Sequence, residues 1–247
     1  MMRLCIVAGA RPNFMKIAPL VCAIDHHNAT KKQNEVRIDY ALVHTGQHYD
    51  GAMSDNFFQE LEIPTPKINL EVGSASHAVQ TGEILIRFEK VCLEEKPDWV
   101  IVVGDVNSTM ACALVAVKLG IKVAHVEAGL RSFDRTMPEE INRLVTDAVA
   151  DLLLTPSEDA DENLRREGIP EERIMRVGNI MIDTLVTNLE KAREKETWKK
   201  LGLEAGNYVF VTLHRPSNVD DRTTISNIFE SLAKLSLIFP RCLHKLG

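Results

Sequence analysis

The segment Gly9-Ala10-Arg11-Pro12-Asn13 closes an apolar run and opens a helical pattern carrying Lys16, so two cations stand beside a helix N-terminus, a setting suited to phosphate. Read more plainly, it is a short turn with Pro12 in the first helical turn and solvated cations around it. The spacing fits neither GxGxxG nor GxxxxGKS/T, so neither a dinucleotide fold nor a P-loop is supported. Asp105, in Gly104-Asp105-Val106-Asn107-Ser108-Thr109, is either a carboxylate facing a cleft or an acid complementing the dipole of a helix capped by Asn107 or Ser108. Glu127 directly follows an apolar run. A buried, ionised Glu costs several kcal/mol unless it has a partner, such as Arg131, or a chemical task, and the task is the favoured reading. Glu139 and Arg143 are four apart in a helical pattern and can present both charges to one ligand, although acids behind Pro138 also suit any helix start. His214 and Arg215 end the last apolar run, at the expected mouth of an inter-domain cleft. His44, Gln47 and His48 belong to a polar loop suited to ligand contact. Gly46 separates the two histidines and no third ligand has suitable spacing, so metal binding is not supported.

These residues need elements to position them. Apolar runs of strand length at 4–8, 39–43, 99–103, 123–126, 152–154 and 208–213 alternate with helical patterns at 15–24, 52–61, 78–93, 109–119, 139–150 and 158–167. Several strands are nearly continuous in Val, Ile and Leu, as strands buried on both faces are. Gly120 and Gly168 follow two of the helices, where a left-handed cap is wanted. Strand then helix, repeated, predicts a doubly wound α/β sheet, in which ligands bind outside the carboxyl ends of the strands. The first domain is expected to span residues 1–177. A charged helix at 184–201, a strand and a helix near 223–235 then begin a second domain over 178–247, which looks cut short because one βα unit cannot bury its own apolar face.

Composition narrows the function classes. The chain has 247 residues, 45% of them hydrophobic, enough for a sizeable core. With 29 basic against 35 acidic residues the net charge is −6, which argues against nucleic acid or an anionic membrane as partner. No run of 18 apolar residues is present, and no signal-peptide core opens the chain. The five cysteines are scattered, without a CxxC pair, and read as small hydrophobes in a reducing compartment; a cytoplasmic location is expected.

Taken in order, GARPNFMKIAP, HTGQHYD, a helix carrying Gln80-Thr81-Gly82, GDVNSTMACAL, HVEAGLRSFD, MPEEINR, VGNIMID and TLHRPSNVD resemble the non-hydrolysing UDP-N-acetylglucosamine 2-epimerases, from residue 3 to about residue 221. The resemblance implies a two-domain, glycosyltransferase-B-like architecture with substrate between the domains. It implies interconversion of UDP-N-acetylglucosamine and UDP-N-acetylmannosamine, through loss of UDP and re-addition to a 2-acetamidoglucal, with no cofactor and no metal. Carried over by position, Asp105, Glu127, Glu139 and His214 would be catalytic, and Arg11, Lys16, Gln47, His48, Arg143 and Arg215 would bind substrate. Gln47 and Arg215 also match positions of a second, regulatory UDP-N-acetylglucosamine, and a homodimer is implied. Two departures stand out. HRPSN has Ser217 where the family often has an acid, and residues 241–247 do not resemble the expected next strand. The alternatives are a glycosyltransferase of the same fold, a diacetamido-uronate nucleotide as substrate, or, for this chain itself, an inactive or nucleotide-binding fragment.

Overall fold

In a computed structural model of the chain, which describes residues 1–46, 61–213, 216–238 and 242–246, the aliphatic runs form one parallel sheet. Its strands are β1 (Met2–Ala8), β2 (Ile38–His44), β3 (Ile68–Asn69), β4 (Trp99–Val103), β5 (Lys122–Val126), β6 (Leu152–Thr155) and β7 (Ile174–Arg176). Their spatial order is β3-β2-β1-β4-β5-β6-β7, the doubly wound arrangement the sequence predicts. Register is continuous across the centre, with Ala8 beside His44, Ile6 beside Ile101 and Val103 beside Val126.

Parallel strands need crossover helices, and these cover both faces. Cys5 and Val7 of β1 join one core with Val100 and Val102, while Leu4, Ile6 and Ala8 join the other with Val103 and Val126. The period of two is therefore buried on both sides. The first core is sealed by Ile84 and Phe88 of α2 (His77–Glu95) and by Ala111, Cys112, Val115 and Ala116 of α3 (Asn107–Lys118). Small residues on α3 let it approach closely. The second is sealed by Phe14, Ile17 and Val21 of α1 (Arg11–Thr30). Burying Phe14 or Phe88 contributes about 1.5–3 kcal/mol each. Cys5, Cys92 and Cys112 are buried free thiols that fill the core as small hydrophobes, and burial first, then Glu89, pushes the Cys92 thiol up to about 12.

Among the described residues the first unit also holds α4 (Pro138–Val149), α5 (Glu158–Arg166), a 3-10 turn at Glu171–Arg173 and the start of α6 (Ile180–Lys195). Gly120 and Gly168 take the expected left-handed conformation. Helix α6 begins four residues before the predicted start, where the Asn179 side chain accepts from the Met181 amide at 3.0 Å. The chain divides into compact units at Met1–Thr187 and Asn188–Gly247, so the division falls inside α6, beyond the expected boundary after Val177. In the second unit, β8 (Val209–Leu213) pairs in parallel with β9 (Cys242–Leu246). This corrects the expectation for residues 241–247, which do supply a strand. Among the described residues no helix is long and apolar enough to cross a membrane.

Candidate active site

The strand order reverses between β1 and β4, and the loops that follow them open at that switch point. After β1, the buried Asn13 side chain accepts from the amides of Gly9 (3.2 Å) and Ala10 (2.8 Å) and donates to Val103 O (2.9 Å), which ties this loop to the end of β4. Arg11 is the first residue of α1. One turn further, Lys16 is almost fully buried and its ammonium pairs with the Glu127 carboxylate.

Glu127 is thus not partnered by Arg131, the cation proposed from the sequence. Its backbone turns left-handed, φ +73°, while its amide donates to Leu154 O at 3.0 Å. That turn sends the side chain back toward α1, over Gly104 (φ +68°). A Cβ at Gly104 would stand 2.9 Å from Lys16 Nζ and 3.5 Å from Glu127 Oε2, so a side chain there would press on the ion pair as well as strain a left-handed backbone.

Asp105 faces a guanidinium. Arg143 donates to Asp105 Oδ2 from Nε (3.1 Å) and Nη2 (2.6 Å), and its Nη1 donates to Glu140 Oε2 (2.6 Å). Of the two charges expected to face one ligand, Arg143 is therefore taken up by Asp105 and by Glu140, three residues before it. Glu140 is 2% exposed and also accepts from the amides of Ser132 and Phe133, both at 3.0 Å. Burial alone would raise its carboxyl, but the Ser132 amide, Arg143 and the Phe133 amide hold it below the ordinary value. Glu139, half-buried, forms no hydrogen bond or ion pair with a described residue.

Asp105 and Glu139 line one cleft of about 380 Å³ with Ala10, Gln80, Asn107 and Asn142. Asn107 does not cap α3, as one sequence reading had it; Val106 stands at the cap without a side-chain bond. Asn107 instead donates to Gln80 Oε1 (2.7 Å) and accepts from Asn142 Nδ2 (3.2 Å). Among the described residues no group of three His, Cys, Asp or Glu stands close enough together to hold a metal ion.

Beneath the cleft lies a charged chain the sequence reading missed. His125, fully buried, bonds Asp147 Oδ1 through Nδ1 (2.6 Å) and Gly104 O through Nε2 (2.8 Å). Asp147 Oδ2 accepts from the Gly129 amide (3.0 Å) and pairs with Arg131 (2.8 Å), which forks onto Glu167 at 2.6 and 2.7 Å. Burial would raise the Asp147 carboxyl, but His125 and Arg131 hold it below the ordinary range. Gly129 itself has φ +80°, and a Cβ there would meet Ala160 O at 2.4 Å. Gly129→Ala is therefore expected to destabilise the first unit by at least about 2 kcal/mol in urea denaturation, since both the left-handed backbone and a backbone atom resist it.

The structure thus gathers Lys16, Asp105, Glu127, Glu139 and Arg143 at the carboxyl edge of the sheet. Gln47, His48, His214 and Arg215 lie outside the described residues. A family model described as UDP-N-acetylglucosamine 2-epimerase matches residues 29–243. The chain belongs to that family. A homolog of UDP-N-acetylglucosamine 2-epimerase from Methanococcus maripaludis is 47% identical over 97% of this chain and 65% of its own length. The Pseudomonas aeruginosa UDP-2,3-diacetamido-2,3-dideoxy-D-glucuronate 2-epimerase is 39% identical over 96% of this chain and 64% of its own length. The crystal structure of the Methanocaldococcus jannaschii 2-epimerase in complex with UDP-GlcNAc and UDP superposes with a TM-score of 0.86 at 44% identity, covering 100% of this chain and 66% of that one. The fold is accordingly of the glycosyltransferase-B-like class, and the chain spans about two thirds of the length of these relatives.

Proposed function

We propose that the protein inverts C2 of UDP-N-acetylglucosamine to give UDP-N-acetylmannosamine. The observation that carries this is a pair of unlike carboxylates in one cleft, Asp105 clamped by a guanidinium and Glu139 without a described partner, beside the Lys16–Glu127 ion pair. The C2 hydrogen is not next to a carbonyl, so simple deprotonation would face a prohibitive barrier. As one carboxylate takes the C2 proton, the C1–O bond breaks and its electron pair leaves with UDP, giving 2-acetamidoglucal. A proton delivered to the other face of C2, with UDP returning to C1, completes the inversion. Asp105 and Glu139 carry the protons, work typically worth about 10²–10⁴-fold in rate.

Glu127 acts beside them or shapes the site through Lys16, while Lys16 and Arg11 favour the departing diphosphate. Arg143 acts on the substrate through Asp105, and His214 serves the diphosphate or the chemistry. The second unit, Asn188–Gly247, begins a nucleotide-binding domain. On the family resemblance, the enzyme is a cytoplasmic homodimer, with Gln47 and Arg215 serving a second, regulatory substrate molecule and His48 a substrate contact. The Pseudomonas aeruginosa relative supports a second reading, in which the sugar is a diacetamido-uronate.

Incubating the full-length protein with UDP-N-acetylglucosamine in D2O tests both readings by proton NMR. The expected result is UDP-N-acetylmannosamine carrying deuterium at C2, without any acceptor. Turnover of the diacetamido-uronate alone selects the second reading. UDP release that depends on an acceptor overturns both in favour of a glycosyltransferase.

A further inference from the structure

His77, the first residue of α2, lines the same cleft and is assigned no role above. Its chemistry follows from three amides, two of them oriented by backbone carbonyls and the third, Asn107, by those two. Gly73 O only accepts, so the Gln80 amide nitrogen must face it, at 3.4 Å. Gln80 Oε1 then faces Asn107, whose nitrogen donates to it at 2.7 Å. Asp105 O likewise only accepts, so Asn142 turns its nitrogen there (2.8 Å) and also to Asn107 Oδ1 (3.2 Å). The two anchors, approached from opposite ends, agree on how Asn107 is turned. Its nitrogen also lies 3.1 Å from His77 Nδ1, while its oxygen is farther, at 3.4 Å, and already taken by Asn142. Asn107 therefore donates to Nδ1. An Nδ1 that accepts leaves the ring proton on Nε2.

Nε2 has no hydrogen-bond partner among the described residues, and His77 is exposed. We infer that His77 is a ligand-binding residue of the cleft, a neutral imidazole whose Nε2–H donates to an uncharged oxygen of the sugar, a hydroxyl or the acetamido carbonyl. This rests on the epimerase reading. Electrostatics favours the sugar over the diphosphate here. Among the described residues the polar wall of the cleft around His77 carries amides and the carboxylates of Asp105 and Glu139 and no Lys or Arg, and Arg143, which grips Asp105, is also engaged by Glu140. A dianion would meet these carboxylates at close range.

The test joins a spectroscopic and a binding measurement. Long-range nitrogen–proton NMR at pH 8 is expected to show Nδ1 unprotonated and Nε2 protonated in the free protein, with the Nε2 resonance moving when UDP-N-acetylglucosamine is added. The opposite tautomer overturns the inference. In ligand-observed titrations, His77→Asn, which keeps a polar atom near Nδ1 and loses the Nε2 donor, is expected to weaken UDP-N-acetylglucosamine about five- to tenfold, the worth of one neutral hydrogen bond. His77→Gln, which returns a terminal N–H near Nε2, is expected to recover most of it. UDP alone should bind all three proteins equally. A purely structural His77 would shift the unfolding midpoint without separating Asn from Gln or the sugar nucleotide from UDP, and that result overturns the proposal. If wild type binds UDP but not its N-acetylglucosamine conjugate, the epimerase reading itself fails, a different outcome from equal binding by wild type and His77→Asn.

Discussion

Asp105→Asn is expected to cut kcat for C2 epimerisation by about 10³-fold or more, within the range that removing a proton-transfer group produces. The substitution is nearly isosteric and leaves an oxygen to accept from the Arg143 fork, so the side chain keeps its position. What it would lose, on the proposed function, is the ability to take or give a proton at C2. Asp105 is a third exposed, and its ion pair is screened by solvent, so the stability cost should stay below about 1 kcal/mol. The loss should fall on kcat rather than KM, the pattern of an interaction made only in the transition state. A variant retaining more than a tenth of wild-type kcat would take Asp105 out of the chemistry and leave it as the anchor for Arg143.

Asp147→Ala should have the largest effect on stability. It strips the acceptor from His125 Nδ1, the Gly129 amide and Arg131 at once, in a place where the His125 and Asp147 side chains are 0% exposed and that of Arg131 is 1% exposed. Removing one partner of a buried ion pair typically costs about 3–5 kcal/mol, a large share of the 5–15 kcal/mol that holds a domain together. Urea denaturation followed by circular dichroism measures it, and a loss below about 1 kcal/mol would mean that water reaches the pair. The wild-type protein carries the same signature in its acid response. The Asp147 and Glu140 carboxyls are both held below their ordinary values of 3.8 and 4.5 in the folded chain. Their contribution is therefore complete above those values and is lost as pH falls through the lower folded ones. Stability should be flat near neutrality and drop on acidification below about pH 4.5, and the drop should be shallower in Asp147→Ala.

The sheet could be read from the chain because its evidence is local. Two-sided burial makes β1, β4 and β5 nearly continuous in apolar residues, and Gly120 and Gly168 mark where helices stop. The edge strands β3 and β7, of two and three residues, carry too little pattern to be seen. Lys16, Asp105 and Glu127 were visible as candidates because strand-end loops are few. Their partners were not, since Lys16 meets Glu127 across 111 residues and Arg143 meets Asp105 across 38. Helical spacing put Glu139 and Arg143 on one face, yet the guanidinium took Glu140, whose own position is fixed by the Ser132 and Phe133 amides, a contact that no periodicity encodes. Likewise His125 looked like part of a strand, because nothing near it announces Asp147, 22 residues on.

Glu127 has a further consequence. A non-glycine residue held left-handed costs on the order of 1–3 kcal/mol and persists only where its surroundings over-determine it, here through its own amide on Leu154 O and its carboxylate on Lys16. That cost falls on the folding step, before any ligand arrives. The carboxylate's bearing is thus pre-organised, and on the proposed function a diphosphate would meet a field that is already aimed and need not be rearranged during the reaction.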